Sequence, residues 1–399
     1  MEKNNKEIGN IAKMEKIKIA IVANHCIVGG VETALINLLK NFDFKKYNIT
    51  LFTNFNSNPC VNEVSDVVKL VDLNKYGIKK SFFAALSRFD LIKAIHIFLN
   101  YMILKVSNNC YIQGILSCKH MKFNFKTFDY IIAYKHGWSS TYIAKHAISS
   151  DKSIVFIHGA LPSLDKGYLK TLCSYDKCFC VSEYLKEYFL EICPEMRDRT
   201  EVFHNILNDT EIKEKSLEAV DDIKKEDGYI IVTVGRLGSE KGQVMIPEIA
   251  HMLTNNGVQF RWYIVGDGPE RVNICNEINK YDVADRVILL GTKSNPYPYM
   301  RMCDIYAQTS TSEGWCLTTQ EARILHKPCV VSDIPVMHEQ FTNGVNGIIA
   351  SGKDAKSIYD GIIKMIETPG LSEKIIDNLK STPQNGSSEI QKLYNYINN

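Results

Sequence analysis

Tyr229-Ile230-Ile231-Val232-Thr233-Val234-Gly235-Arg236-Leu237-Gly238-Ser239-Glu240-Lys241-Gly242 opens as a run of aromatic and β-branched residues and breaks into a glycine-rich loop with two cations. The run has the composition of a strand buried on both faces. It decides the fold because it restarts a pattern already run once upstream. Ile17 to Val22 is a first strand, and Gly29-Gly30 follows after a short loop. Val31, Ala34, Leu35, Leu38, Leu39 and Phe42 then recur at helical spacing. Tyr47 to Phe52, Val67 to Val71, Tyr130 to Tyr134, Ser153 to Ile157 and Cys178 to Val181 read as further strands, with a helix from Ser182 to Leu190. Beyond Tyr229 the alternation returns through Phe260 to Val265, Val287 to Leu290, Ile305-Tyr306 and Cys329 to Val331. This is an α/β pattern of two doubly wound parallel-sheet domains, each Rossmann-like, with helices on both faces of the sheet. Two such halves predict a central ligand cleft between them, at the carboxyl ends of both sheets.

The expected boundaries follow from composition. Residues 1–13 are charged and polar with no apolar core, which predicts a disordered tail and not a signal peptide. The first domain is expected over 14–207, and an Asp-, Glu- and Lys-dense linker over 208–227. The second domain is expected over 228–382, with a carboxyl-terminal helix at 383–399 packing back towards the first.

A chain of 399 residues should hold about two domains. A net charge of +2 gives no reason to expect nucleic acid as a partner. The 12 cysteines are scattered and form no Cys-x-x-Cys pair, which suits reduced, buried thiols in a cytoplasmic protein. No run reaches the length of a membrane span. The nearest, Ser81 to Lys105, is interrupted by Arg88, Asp90, Lys93 and His96. Placed on one helix, Arg88 and Asp90 fall on opposite sides, so core helices are expected there, with a membrane-surface helix as the alternative.

The chemistry gathers at strand ends. In Ser312-Glu313-Gly314-Trp315-Cys316-Leu317-Thr318-Thr319-Gln320-Glu321-Ala322 a glycine turn leads from an apolar segment into a helix. A helix start offers free N–H groups and a favourable dipole to a phosphate. Carboxylates on either side of it suit sugar hydroxyls, since each accepts several hydrogen bonds. Arg236 and Lys241 can bracket a diphosphate, one as a fork and one as a point charge. Gly266-Asp267-Gly268-Pro269 carries Arg271 where a dinucleotide fingerprint needs its third glycine, so a tight turn near the nucleotide is the better reading. Gly29-Gly30 has no Lys-Ser/Thr after it and is no Walker loop; its amides could reach across the cleft towards phosphate. His158 ends a strand and would face the same cleft. No Asp-x-Asp occurs, so the usual carboxylate pair for a metal-bound diphosphate is missing and no metal site is expected.

With these residues in order, the chain resembles family 4 glycosyltransferases of the retaining GT-B superfamily. Gly29 to Glu32, His158, Val202 to Ile206, the Gly235 loop, Val265 to Pro269, Asn295-Pro296-Tyr297, Glu313 with Glu321, Lys327 to Val331 and Asn343 to Gly347 fall in family order. The resemblance implies transfer of a sugar, hexosyl or N-acetylhexosaminyl, from a nucleoside-diphosphate sugar (a UDP-sugar favoured) to a glycan or lipid-linked acceptor. It implies no separate cofactor. Arg236, Lys241, His158 and Glu313 would act on the reacting centre. Gly29, Gly30, Gly235, Gly266, Asn295, Cys316, Leu317, Thr318 and Glu321 would bind the donor, with Glu321 on the ribose. Two departures stand out. The junction reads Asn205-Ile206 where Asn-Gly is common, and Glu313 is followed by Gly-Trp-Cys where an aromatic followed by Pro or Gly is usual. The second bears on the identity of the donor sugar. The implied setting is cell-surface polysaccharide synthesis at the cytoplasmic membrane face, with peripheral contact through residues 78–105. The rival readings are a GT-B nucleotide-sugar epimerase, which needs catalytic acids in the first domain, and a non-catalytic sugar-nucleotide-binding protein.

Overall fold

Strands rich in Ile and Val lose apolar surface to water only when helices cover both faces of their sheet. The structure, a computed structural model, describes residues 15–23, 29–54, 63–76, 78–107, 112, 115, 116, 118, 123, 127–161, 164–223, 228–382 and 388–399. The expected tail at 1–13 lies outside them. Seven parallel strands form the first sheet: β1 (Ile17–Ala23), β2 (Tyr47–Thr53), β3 (Lys69–Asp72), β4 (Phe128–Ala133), β5 (Ser150–Ile157), β6 (Lys177–Cys180) and β7 (Thr200–Val202), in the order β3-β2-β1-β4-β5-β6-β7. Six parallel strands form the second: β8 (Tyr229–Val234), β9 (Phe260–Val265), β10 (Val287–Gly291), β11 (Ile305–Gln308), β12 (Cys329–Val331) and β13 (Ile348–Ile349), in the order β10-β9-β8-β11-β12-β13.

Side chains alternate across each sheet. Ile19 and Ile21 pack with Ala34, Leu35 and Leu38 of the Gly30–Lys40 helix, while Ala20 and Val22 pack on the other face with Leu172, Leu185 and Phe189. The second sheet buries Trp262 completely, and its indole N–H is satisfied by the Thr233 hydroxyl at 3.0 Å. Strand order reverses once in each sheet, between β1 and β4 and between β8 and β11. Loops leaving neighbouring strands diverge at such a point and open a crevice at the carboxyl ends.

The chain crosses between domains twice. After β7 it passes through a short helix, Asp209–Lys215, capped by Asn208 and tied to the first domain by Lys40 to Glu211 at 3.1 Å. It returns through the Glu389–Asn398 helix, whose Ile390, Leu393 and Ile397 join the core of the first domain. There the Tyr130 hydroxyl donates to the Ile397 carbonyl at 2.9 Å, and Tyr394 stacks on Tyr47 at 5.0 Å.

The Ser81–Lys105 stretch departs from the expected core helices. It forms two helices, Ile78–Ser87 and Leu91–Val106, separated by Arg88-Phe89-Asp90. Asp90 caps the second by accepting from the Lys93 N–H at 3.1 Å. Arg88 and Asp90 therefore lie in the turn and interrupt no helix face. Ile78, Ala85, Ala94 and Ile97 fill the seam between the two helices, and large apolar side chains remain on the outside. Among the described residues no helix is long and apolar enough to cross a membrane.

Candidate active site

Because β8 and β11 are neighbours at the reversal point, the Gly235–Gly242 loop meets the Thr309–Cys316 loop. Lys241 Nζ lies 2.6 Å from Glu313 Oε1, and the Ser310 hydroxyl donates to the same oxygen at 2.7 Å. Backbone contacts fix that meeting. The Thr309 hydroxyl donates to the Lys241 carbonyl at 2.9 Å, and the Thr311 N–H to the Glu240 carbonyl at 2.8 Å. Gly242 has φ +64°, and a Cβ there would stand 2.2 Å from the Thr309 carbonyl oxygen, so only glycine fits. Burial pulls the Lys241 pKa down, but the charge and hydrogen bond of Glu313 outweigh it and the net shift is upward. The ammonium stays charged. Arg236 sits further out, mostly exposed, with its guanidinium 2.6 Å from Glu240. Gly235 and Gly266 lie at the ends of adjacent strands, where the Gly235 N–H donates to the Val265 carbonyl at 2.9 Å.

Cys316 heads the Leu317–Ile324 helix in the left-handed region, φ +59°, uncommon for any residue but glycine. Gln340 braces that turn. Its amide donates to the Trp315 carbonyl, and its side-chain oxygen accepts from the Thr319 hydroxyl at 2.6 Å. The Cys316 thiol lies 3.5 Å from the Thr318 hydroxyl and is pushed up to about 11 by burial, so it stays protonated. The amides of Leu317 and Thr318 open the helix without intrahelical acceptors, at the positive end of its dipole. Glu321 follows one turn later, buried. Burial raises its carboxyl to about 7, against the opposing pull of the Tyr297 hydroxyl at 3.3 Å. Asn295 is differently employed. Its amide donates to the Lys215 carbonyl at 2.8 Å and its oxygen accepts from the Tyr297 N–H at 3.1 Å. Asn295 builds the entry to the Tyr297–Met302 helix, and Tyr297 is the residue that reaches Glu321.

The first domain supplies the opposite wall. His158 follows β5, and its N–H donates to His136 Nδ1 at 3.1 Å. His136 Nε2 then serves as donor to the Ala160 carbonyl at 3.2 Å, which fixes its tautomer. The His158 ring packs on Tyr134 at 4.7 Å. Neither of its nitrogens makes a hydrogen bond of normal geometry, although the Tyr134 backbone lies close enough to favour the charged form slightly. Burial lowers its pKa to about 3, with His136 adding to the effect, so the imidazole is neutral. Gly29 and Gly30 open the Gly30–Lys40 helix, where Leu317 approaches to 3.7 Å of the position a Gly30 Cβ would take. In that first turn Glu32 is buried, its pKa raised by burial, 3.5 Å from Lys135.

The two walls touch at Gly314. A Cβ there would stand 1.9 Å from the His158 carbonyl oxygen. Trp315 stacks on His204 of the interdomain junction, with rings 4.3 Å apart and 24° from parallel. Glu339 accepts from the N–H groups of Glu183 and Tyr184 at 2.8 and 2.9 Å, capping the Glu183–Ile192 helix across the cleft. The structure thus gathers Gly29, Gly30, His158, Lys241 and Glu313 to Thr318, with Glu321 one turn behind, Arg236 and Gly266 flanking, and Asn295 turned to scaffolding. Sequence reasoning missed Gln340, Glu339, Ser310 and the role of Tyr297; only Tyr297 carried a signal, as the end of Asn-Pro-Tyr. Among the described residues no group of three or more His, Cys, Asp or Glu side chains is placed to hold a metal.

Paired parallel sheets facing a cleft with these loops at the reversal points define the GT-B glycosyltransferase fold. An Anabaena protein whose crystal structure is in complex with UDP has this fold, with a TM-score of 0.66 at 15% identity over 96% of this chain and 100% of that one. Residues 215–382, which hold Lys241, Glu313 and Glu321, match the family described as glycosyl transferases group 1. It is 26% identical over 160 residues to the alpha-D-kanosaminyltransferase of Streptomyces kanamyceticus, 40% of this chain and 42% of that one. It is also 26% identical over 185 residues, 46% and 48% of the two chains, to a Campylobacter jejuni alpha-N-acetylgalactosaminyltransferase whose named acceptor is a diphospho-undecaprenol-linked sugar. The matches span under half the length of these two relatives.

Proposed function

We propose that the chain is a retaining glycosyltransferase that moves a sugar from a nucleoside-diphosphate donor, a UDP-sugar favoured, to a hydroxyl of a glycan or lipid-linked acceptor in cell-surface polysaccharide synthesis. One observation carries this reading: a charged Lys241 and the start of the Leu317–Ile324 helix stand beside Glu313, opposite His158 and Gly29-Gly30. Breaking the bond between anomeric carbon and phosphate leaves negative charge on the diphosphate. Lys241, Arg236 and the helix dipole stabilise that charge where it grows, and each such donor is worth ~10²–10³ in rate. Glu313 accepts hydroxyls of the donor sugar, and its bonds to Lys241 and Ser310 favour a positioning role over that of a nucleophile. The reaction then runs on one face of the sugar, the leaving phosphate oxygen taking the acceptor proton. Glu321 takes ribose hydroxyls. His158, neutral, offers its ring nitrogens to a hydroxyl of the transferred sugar.

Protein cations stand in for a metal here, and no cofactor is required. The missing Asp-x-Asp supports this reading. The lipid-linked acceptor named for the Campylobacter relative supports an acceptor at a membrane, with the enzyme cytoplasmic and peripheral. Thermal unfolding against a panel of UDP-, GDP- and ADP-sugars tests the reading. Stabilisation by one nucleotide series, UDP-sugars first, is expected. Indifference to all three would refute it.

A further inference from the structure

The Leu91–Val106 helix turns an apolar face to the outside of the first domain. At 100° per residue, Leu91, Ile92, Ile95, Phe98, Leu99, Met102, Ile103 and Val106 fall within an arc of about 140°. All eight are exposed, Ile92 at 85% and Val106 at 74%. Ala94 and Ile97 lie on the opposite arc, buried against the Ile78–Ser87 helix. His96 and Lys105 stand at the two edges of the apolar arc. At the tip of the hairpin, Phe89 is 89% exposed and in the left-handed region, φ +56°. A bulky aromatic residue in that conformation is a backbone outlier, and its ring finds no burial within this chain. Phe83 continues the patch onto the first helix.

Charge identifies the occupant. Residues 78–106 carry Lys79, Lys80, Arg88, Lys93 and Lys105 against a single acid, Asp90. A second copy pairing through this face would bring an equally basic hairpin alongside it, and like charges oppose such pairing. An anionic lipid surface takes both features at once, apolar face into the acyl boundary and cations at the headgroups. We propose that this hairpin docks the first domain on an anionic bilayer, the Leu91–Val106 helix lying in the plane of the interface and Phe89 inserted at its end. The proposal rests on the transferase reading only for why a membrane is needed: it brings the first-domain wall of the cleft to an acceptor held in lipid.

The test uses the full chain with vesicles of equal parts phosphatidylcholine and phosphatidylglycerol, and with phosphatidylcholine alone, at low and high salt. Binding at least about tenfold tighter to the anionic vesicles, weakened by salt, is expected. Ile92→Glu with Leu99→Glu should abolish binding while leaving the unfolding temperature and its shift by nucleotide sugars unchanged. Phe89→Trp should emit at shorter wavelength once vesicles are added. A chain that stays in the supernatant at low salt overturns the proposal. So does equal binding by the doubly substituted chain, or a dimer in solution that Ile92→Glu dissociates, which would make the face a self-association surface. Vesicle binding without any nucleotide-sugar stabilisation would keep the hairpin and sink the transferase reading.

Discussion

Gly314→Ala isolates the contact between the two domains. Its added methyl would stand 1.9 Å from the His158 carbonyl oxygen, whereas a carbon and a carbonyl oxygen settle at ~3.3 Å or more, a shortfall of about 1.4 Å. The obstacle is backbone, so no rotamer relieves it; the Glu313 loop must retreat from His158 by roughly that distance. Gly314 lies outside the left-handed region, so the substitution adds no torsional strain to the loop. Lys241, Glu313 and Glu321 belong to the second domain and keep their mutual geometry, so donor affinity should hold within a few-fold. Chemistry needs both walls, and a misplacement of about 1 Å at a reacting centre costs ~10² in rate. The expected result is a fall in turnover of about that size with the nucleotide-sugar shift in unfolding temperature preserved. Donor consumption, followed as release of nucleoside diphosphate, measures the first quantity and calorimetry the second. Turnover within twofold of the parent would show that His158 and the Glu313 loop do not meet during catalysis.

Lys241→Ala and Arg236→Ala should each lower turnover ~10²-fold, but they should differ in stability: Lys241→Ala strands the buried Glu313 carboxylate at a cost of about 3 kcal/mol, while Arg236, at the surface, costs under ~1 kcal/mol. Equal unfolding temperatures for the pair would contradict the buried ion pair. Glu321 has its folded pKa raised to about 7, so the folded state holds that proton more tightly than the unfolded one, and this group's contribution to stability is lost as pH rises from about 4.5 to about 7. Glu321→Gln should flatten that part of the unfolding profile, and Tyr297→Phe, which removes the opposing hydrogen bond, should steepen it; unchanged profiles in both would refute the assignment. Turnover should survive EDTA, and abolition by chelator with rescue by manganese would overturn the metal-free reading.

The fold was legible because parallel strands covered on both faces leave continuous apolar runs, and those at Tyr229, Phe260 and Ile305 sit where β8, β9 and β11 form. β13 escaped, since two isoleucines after a turn make no period. Glu313, Lys241 and His158 could be placed in the cleft because each follows the carboxyl end of a strand, directly or in the loop that leaves it, and those ends converge by topology. Gln340 and Glu339 could not: their partners, the Trp315 carbonyl and the Glu183–Ile192 helix, lie far off in sequence and leave no spacing to read. Asn295 fitted its motif, yet its amide serves the backbone. The hairpin was misjudged because Arg88 and Asp90 were assigned to a helix when they form the turn that breaks it.

The Glu389–Asn398 helix has a consequence for how this chain is made. Its Leu393 is fully buried among residues of β1, β2 and β4, and Lys392 bonds the carbonyl of Val202 at 3.0 Å. During synthesis the first sheet emerges from the ribosome long before this helix does, and waits with that part of its core open to water while the entire second domain is translated. The second domain, whose strands and covering helices are contiguous in sequence, meets no such delay. The half of the molecule that is begun first is therefore completed last, and a nascent chain stalled before Ser388 would carry a finished second domain beside a first domain exposing Tyr47 and Tyr130 to chaperones.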